Sequence, residues 1–261
     1  MSRVAIVTGG ARGIGAATVD ALVNDGYRVV AVDLCRDIAE VAYPMATPGD
    51  LDAVVARHGD SVLGLVGDVR SSSDMQLAVE TATRHFGRLD AVVACAGVMG
   101  AGGQFWRITD AEWDAVWSVN VLGTRRLIEA AALTLIANGP AANSRIVAVA
   151  SAAGSLGLRH LAAYSAAKHA VVGLIRGVAM DLAEYGVTAN AVSPGSTRTA
   201  ILEATAQVYG LASGEEFAAQ QPIGRLLDPI EIAAAIVWVC SAGSSAVTGA
   251  DLAIDGGMTV S

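Results

Sequence analysis

The segment Thr8-Gly9-Gly10-Ala11-Arg12-Gly13-Ile14-Gly15 restricts the possible folds of this chain more than any other stretch. It stands between a short apolar run and a stretch of helical period, so the backbone must turn from strand into helix within it. Gly9, Gly13 and Gly15 let another group approach the main chain closely. The unpaired N–H groups and positive end of the helix that follows favour an anion there, and a pyrophosphate suits the spacing.

The same order repeats along the chain. Apolar runs of about four to eight residues alternate with longer helical stretches, as when parallel strands are joined by crossover helices. Strands are expected at Arg3 to Thr8, Tyr27 to Asp33, Val62 to Gly67, Ala91 to Ala96, Arg145 to Ala150, Thr188 to Ser193 and Asp251 to Ile254. Helices are expected at Ser71 to Phe86, Ala111 to Ala137, His160 to Glu184 and Pro229 to Ser241, where apolar positions recur at three- and four-residue steps. The hydrophobic share of 53% is high and the charged share of 16% low, as a sheet covered on both faces requires. The expected fold is α/β: a Rossmann-type, doubly wound parallel sheet of about seven strands flanked by helices, in one domain over residues 1–261.

Several partner classes are excluded. A net charge of −8 repels phosphate backbones and no basic stripe offsets it, so nucleic acid is not expected. Cys35, Cys95 and Cys240 are odd in number and far apart, which fits reduced thiols rather than a disulfide framework or zinc site. His58, His85, His160 and His169 show no ligand-like pairing, so no metal is expected. Apolar runs such as Val29-Val30-Ala31-Val32 are too short for a bilayer and Met1 leads straight into a strand, so a soluble, cytoplasmic protein is expected.

Two segments interrupt the alternation. Leu34 to Asp50 carries Pro44 and Pro48, and Ser196 to Leu227 contains Pro222. Both read as functional loops, the first beside the phosphate turn and the second as a substrate loop. The second holds Ile201, Leu202, Val208, Tyr209, Leu211 and Phe217, enough to close an apolar lid over a hydrophobic ligand.

Asp33 closes the second strand, where a carboxylate accepts hydrogen bonds from both hydroxyls of an adenosine ribose. A 2′-phosphate there would meet a like charge, so the cofactor read from these residues is NAD rather than NADP. Arg12 and Arg36 are the two cations that could reach such a phosphate. Arg12 reads equally as a solvated turn residue, and Arg36 as a partner of Asp37.

Tyr164 and Lys168 are spaced i, i+4 and share one face of a helix. An ammonium beside a phenol favours the phenolate and lowers a pKa that is otherwise near 10, so Tyr164 can exchange a substrate proton. Ser151 follows the fifth expected strand, where open α/β sheets place ligand groups, and can steady the substrate oxygen. Asn120 is a polar amide inside an expected helix, a placement that a water-mediated proton relay would explain.

These residues resemble the short-chain dehydrogenase/reductase family, whose Thr-Gly-x-x-x-Gly-x-Gly and Tyr-x-x-x-Lys patterns are matched by Thr8 to Gly15 and by Tyr164 to Lys168. The resemblance implies a catalytic tetrad of Asn120, Ser151, Tyr164 and Lys168. It implies cofactor contacts from Gly9, Arg12, Gly13, Ile14, Gly15, Asp33 and Leu34, with Asp68 and Val69 at the adenine. Ala96 and Gly97 follow, then Tyr164, Lys168, Pro194 and Gly195, with the Thr197 N–H and the Thr199 hydroxyl on the nicotinamide carboxamide. One departure stands out: Cys95-Ala96-Gly97 replaces the family's usual Asn-Ala-Gly, which calls the local hydrogen bonding into question. Within the family, Asp33-Leu34-Cys35-Arg36 followed by Tyr43-Pro44-Met45-Ala46-Thr47-Pro48 resembles the mycofactocin-associated, carveol dehydrogenase-like subgroup. That implies NAD held too firmly to exchange, with mycofactocin as the redox partner. The family also implies a homotetramer.

The leading expectation is therefore an NAD-dependent enzyme interconverting a hydrophobic or alicyclic secondary alcohol and its ketone. An NADPH-dependent 3-oxoacyl reductase is disfavoured by Asp33 and by the acidic net charge, which offers little to an acidic acyl carrier. A non-enzymatic NAD-sensing regulator would have no need of both Tyr164 and Lys168.

Overall fold

The computed structural model describes residues 2–260. Its strands are β1 (Val4–Thr8), β2 (Arg28–Asp33), β3 (Val62–Val66), β4 (Ala91–Ala94), β5 (Arg145–Val149), β6 (Thr188–Pro194) and β7 (Asp251–Ile254), all within two residues of the expected bounds. They form one parallel sheet in the order β3-β2-β1-β4-β5-β6-β7. The chain winds outward from β1 to β3, then crosses back to β4 on the other side of β1. The connections leaving β1 and β4 therefore diverge to opposite faces, and a crevice opens beyond their C-terminal ends.

Both faces are buried, and successive strand residues serve opposite cores. On one side Val4, Ile6, Val30, Val92, Ile146 and Ala189 meet helices α3 (Ser72–Phe86), α5 (Thr124–Ala137) and α6 (Ala162–Leu182) through Met75, Leu135 and Ile175. On the other, Ala5, Val7, Val29, Ala31, Val93 and Val147 meet α1 (Gly13–Asn24), α2 (Pro48–His58) and α8 (Pro229–Cys240) through Leu22, Leu51 and Ile236. This explains the scarcity of charge in the sequence. Among the described residues no helix is long and apolar enough to cross a membrane.

Three local features depart from expectation. The stretch Ala111 to Ala137 is not one helix: α4 (Asp110–Trp117) and α5 are separated by a π-turn, Ser118–Gly123. Asn120 accounts for it, because its side-chain Nδ2 donates to the Val116 carbonyl at 2.8 Å, the i−4 group that an α-helical main chain would use. The helix expected from His160 begins at Ala162, since His160 sits at φ 62, a left-handed conformation outside the helical region. Pro48 does not prolong the first loop. It opens α2 behind a capping box in which Thr47 and Asp50 satisfy each other's backbone N–H, so the irregular segment ends at Thr47.

Candidate active site

The crevice is a cleft of about 660 Å³. It brings together every expected cofactor residue, from Gly9 to Thr199, with Ser151, Tyr164 and Lys168; Asn120 lies just behind its wall. The floor is the phosphate turn. Gly9 has φ +68, and a Cβ on Gly15 would lie 1.9 Å from the Gly9 carbonyl oxygen, so the turn closes only with glycine at both positions. Asp33 is 8% exposed, and main-chain amides pin its carboxylate: Oδ2 accepts from Ala11 N at 3.1 Å and Oδ1 from Cys35 N at 3.3 Å. The cradle and the fixed carboxylate at the end of β2 fit the pyrophosphate and ribose of a dinucleotide.

Residues 34–47 run as a strap along the cleft beside Asp33, with Leu34, Ile38, Met45 and Ala46 lining it. Arg12 is half-buried and tied to the strap: its Nη1 donates to the Pro44 carbonyl at 2.7 Å. Asp37 is taken by Met45 N at 2.9 Å, so Arg36 reaches instead across to Asp68, with Nη2 3.7 Å from Oδ2, which corrects the expected Arg36–Asp37 pair. Asp68 also accepts Nη2 of Arg70 at 2.7 Å. Burial pushes its carboxyl upward, but the Arg70 hydrogen bonds and the two guanidinium charges together hold it below the usual range. Val69 lines the cleft beside it.

At the other end, Ser151 follows β5 and its Oγ accepts from Ala153 N at 3.1 Å, so it caps the next turn while facing Tyr164. Burial pushes the Tyr164 phenol up to about 12, and the Ser151 hydrogen bond only partly opposes this. The expectation that Lys168 lowers it is not met. Lys168 Nζ lies 5.6 Å from the centroid of the Tyr164 ring and donates to the Val149 carbonyl at 2.8 Å. Burial brings the Lys168 ammonium down to about 8, with a small opposing effect from Cys95.

Asn120 is 1% exposed and acts as a fastener. Its Nδ2 donates to Val98 O and Val116 O, both at 2.8 Å, and its Oδ1 accepts from Val98 N at 3.3 Å. The side chain is thus committed to main chain and has no donor left for a water relay. The Cys95 substitution leaves no gap in the fastening of β4, because Thr8 Oγ1 accepts from Cys95 N at 3.2 Å and Ala96 N at 3.3 Å. Burial pushes the Cys95 thiol up to about 12 despite the Lys168 charge, so it stays protonated.

Residues 196–227 form a lid with structure of its own, not a plain loop. Its neck pairs Thr197 with Leu227 in a parallel bridge. Thr199, expected at the carboxamide, also caps α7 (Ala200–Tyr209) through Leu202 N at 3.4 Å. A 3-10 stretch, Gly214–Gln220, follows. Below the lid the cleft is walled by Val98, Leu158, Leu161, Ile201, Thr205 and Tyr209, which the motif reading did not assign as site residues, except that Ile201 and Tyr209 were expected in the lid. Tyr43 was also missed. It reaches from the strap to Met99, whose N–H its Oη accepts at 3.1 Å; the sequence marked it only as an aromatic in the proline-bearing stretch that carries the subgroup resemblance.

This dinucleotide-binding cleft, with a Ser-Tyr-Lys set just beyond strand β5 and on helix α6, has a match across nearly the whole chain. The chain belongs to the short-chain dehydrogenase/reductase family; a family model described as enoyl-(acyl carrier protein) reductase matches residues 9–259. It is 35% identical to an uncharacterised NAD-dependent oxidoreductase of Mycobacterium tuberculosis, over 98% of this chain and 95% of that protein. It is also 35% identical to 2,5-dichloro-2,5-cyclohexadiene-1,4-diol dehydrogenase of Sphingobium indicum, over 97% of this chain and 96% of the relative. The backbone superposes on carveol dehydrogenase from Mycobacterium avium in complex with NAD, with TM-score 0.93 and 28% identity, covering 99% of this chain and 98% of the other.

Proposed function

We propose that the protein is an NAD-dependent dehydrogenase that interconverts an uncharged, hydrophobic or alicyclic secondary alcohol and its ketone. The observation that carries this reading is one cleft in which a phosphate cradle, the pinned Asp33 carboxylate and the Ser151–Tyr164–Lys168 group lie together under an apolar lid. Bound NAD supplies the hydride acceptor. Gly9 to Gly15 hold its pyrophosphate, Asp33 its ribose, Asp68 and Val69 its adenine, and Gly195, Thr197 and Thr199 its carboxamide. Ser151 steadies the substrate oxygen. Tyr164, held near 12, keeps its proton at neutral pH, so it is ready as the acid in ketone reduction and needs a neighbouring positive charge to serve as the base in alcohol oxidation. Lys168, near 8, is still charged at pH 7 but is committed to the Val149 carbonyl and does not itself bring the phenol down; oxidised nicotinamide would supply a positive charge when bound. Asn120 positions the wall at Val98.

The strap supports a finer reading in which NAD does not exchange freely and mycofactocin removes the electrons: Arg12, Arg36 and Tyr43 tie residues 34–47 down at three separate points. A cytoplasmic homotetramer is part of the same proposal, supported by Leu133 of α5 and Met180 of α6, which are 79% and 80% exposed. The test begins with denaturing the purified, undialysed protein and identifying released nucleotide by mass spectrometry; near-stoichiometric NAD or NADH is expected. Bound NADP would overturn the Asp33 assignment, and no nucleotide would reduce the reading to an ordinary exchanging dehydrogenase. Tyr164→Phe should lower turnover of alicyclic alcohols by about 10²- to 10⁴-fold.

A further inference from the structure

We propose that Tyr43 is a positioning residue for the substrate half of the cleft, and that through Met99 it couples the cover of the cofactor to the cover of the substrate. Tyr43 belongs to the strap, yet it is 8% exposed and belongs to the core cluster that also contains Val98, Met99 and Leu161. Its Oη accepts the Met99 N–H at 3.1 Å. From the opposite direction α7 reaches the same residue: Thr205 Oγ1 lies 2.9 Å from Met99 Sδ and 2.7 Å from the Ile201 carbonyl, one proton serving two acceptors. Met99 is 3% exposed, so water cannot replace either contact without opening the wall. Tyr164 also feels the Tyr43 phenol, which helps to hold its own pKa high.

The consequence follows from linkage. A strap seated on bound nucleotide fixes Tyr43, Tyr43 fixes the Met99 main chain, and the Met99 side chain offers α7 its seat. The energy passed in one direction must equal the energy passed in the other, so the lid contact must also tighten nucleotide binding, and a change in affinity at one site falls mostly on the release rate. This deepens the dehydrogenase reading and rests on it, but its test needs no substrate.

Two variants cross the assignment of each cover. Thr205→Val keeps the shape of a lid residue and removes its hydroxyl; NADH release, followed by fluorescence, should become about two- to ten-fold faster, the range for one neutral hydrogen bond. Thr205→Ser restores the donor and should return the parent rate. Tyr43→Phe keeps the ring of a strap residue and removes the acceptor; protease cleavage within residues 200–220 should become about two- to ten-fold faster with NADH bound. If Thr205→Val leaves NADH release unchanged, or Tyr43→Phe leaves lid cleavage unchanged, the two covers are independent and the coupling is wrong. A fall in the thermal midpoint without either cross effect assigns both residues to packing and overturns the proposal equally. Failure of the dehydrogenase reading would show elsewhere, as a parent protein that neither carries nor takes up NAD(H), or as full turnover by Tyr164→Phe.

Discussion

Residues 34–47 and residues 196–227 both lie over the cleft and both break the strand–helix alternation, but the first has no regular structure while the second carries a helix, a 3-10 stretch and an apolar cluster of its own. The strap has no core of its own: Ile38, Val41, Tyr43 and Ala46 are each buried in one of the two main cores, and Arg12 to Pro44, Arg36 to Asp68 and Tyr43 to Met99 tie it at separate points. The lid is packed from within by Leu202, Ala206, Phe217 and Leu226, is joined to the body by the Thr197–Leu227 neck, and rests on it through Ala204, Thr205 to Met99 and Tyr209 to the Arg159 carbonyl. A cover held to the body at separate points loosens one point at a time; a cover with its own core moves as one piece. The first suits a ligand that stays, and the second suits one that comes and goes.

The largest expected effect tests whether the lid is a separate body. Phe217, 3% exposed, is its largest buried side chain, and Phe217→Ala should cost the lid about 3–5 kcal/mol, raising protease cleavage within 200–220 on the order of a hundred-fold or more. The main thermal transition should barely move. If it falls as far as for Leu135→Ala in the central core, the lid is continuous with the rest and the contrast with the strap collapses.

A smaller effect is expected at the strap. Arg12→Ala removes one exposed, charge-assisted tie, worth about 1 kcal/mol after solvent screening, so nucleotide release should quicken about five-fold with an unchanged thermal midpoint. No change in release would mean that the remaining ties carry the strap alone. The smallest effect concerns acid. Glu231, at the foot of the lid's neck, accepts two bonds from Arg225 and one from Asp228 N, and these hold its carboxyl down at about 2, from an ordinary 4.5. The ordered neck is thus favoured above pH 4.5 and loses that advantage as pH falls toward 2. Pepsin cleavage of the lid should rise over that interval in the parent and be less pH-dependent in Glu231→Gln.

The fold was legible because each apolar run is bounded by turn residues, and because strands that serve two cores are apolar at most positions, polar ones such as Asn190 and Arg145 being exceptions. The floor of the site was legible for a related reason: Gly9, Gly15 and Asp33 act through backbone geometry that leaves a fixed spacing in the chain. The wall was not. Tyr43 and Met99 are separated by 56 positions and meet through a main-chain N–H, which any residue provides. Arg36 was given the wrong partner because adjacency in sequence favoured Asp37, whose carboxylate the strap uses on its own backbone. Spacing placed Tyr164 and Lys168 on one helix face, but their protonation follows from burial, and burial depends on elements far away in the chain.

The π-turn at Ser118–Gly123 has a last implication, one of length rather than chemistry. An α-helix advances by about 100° with each residue, so a helix carrying a widened turn holds its two halves out of phase. Removing one residue from that turn would let an unbroken helix form, with better main-chain pairing than before, and would swing Asn120 away from Val98. Every residue that touches the cleft could then be unchanged in identity while the wall behind Val98 came unfastened. For chains alike at Tyr164 and Lys168, a count of residues along this one helix therefore carries information about the site that no comparison of side chains contains.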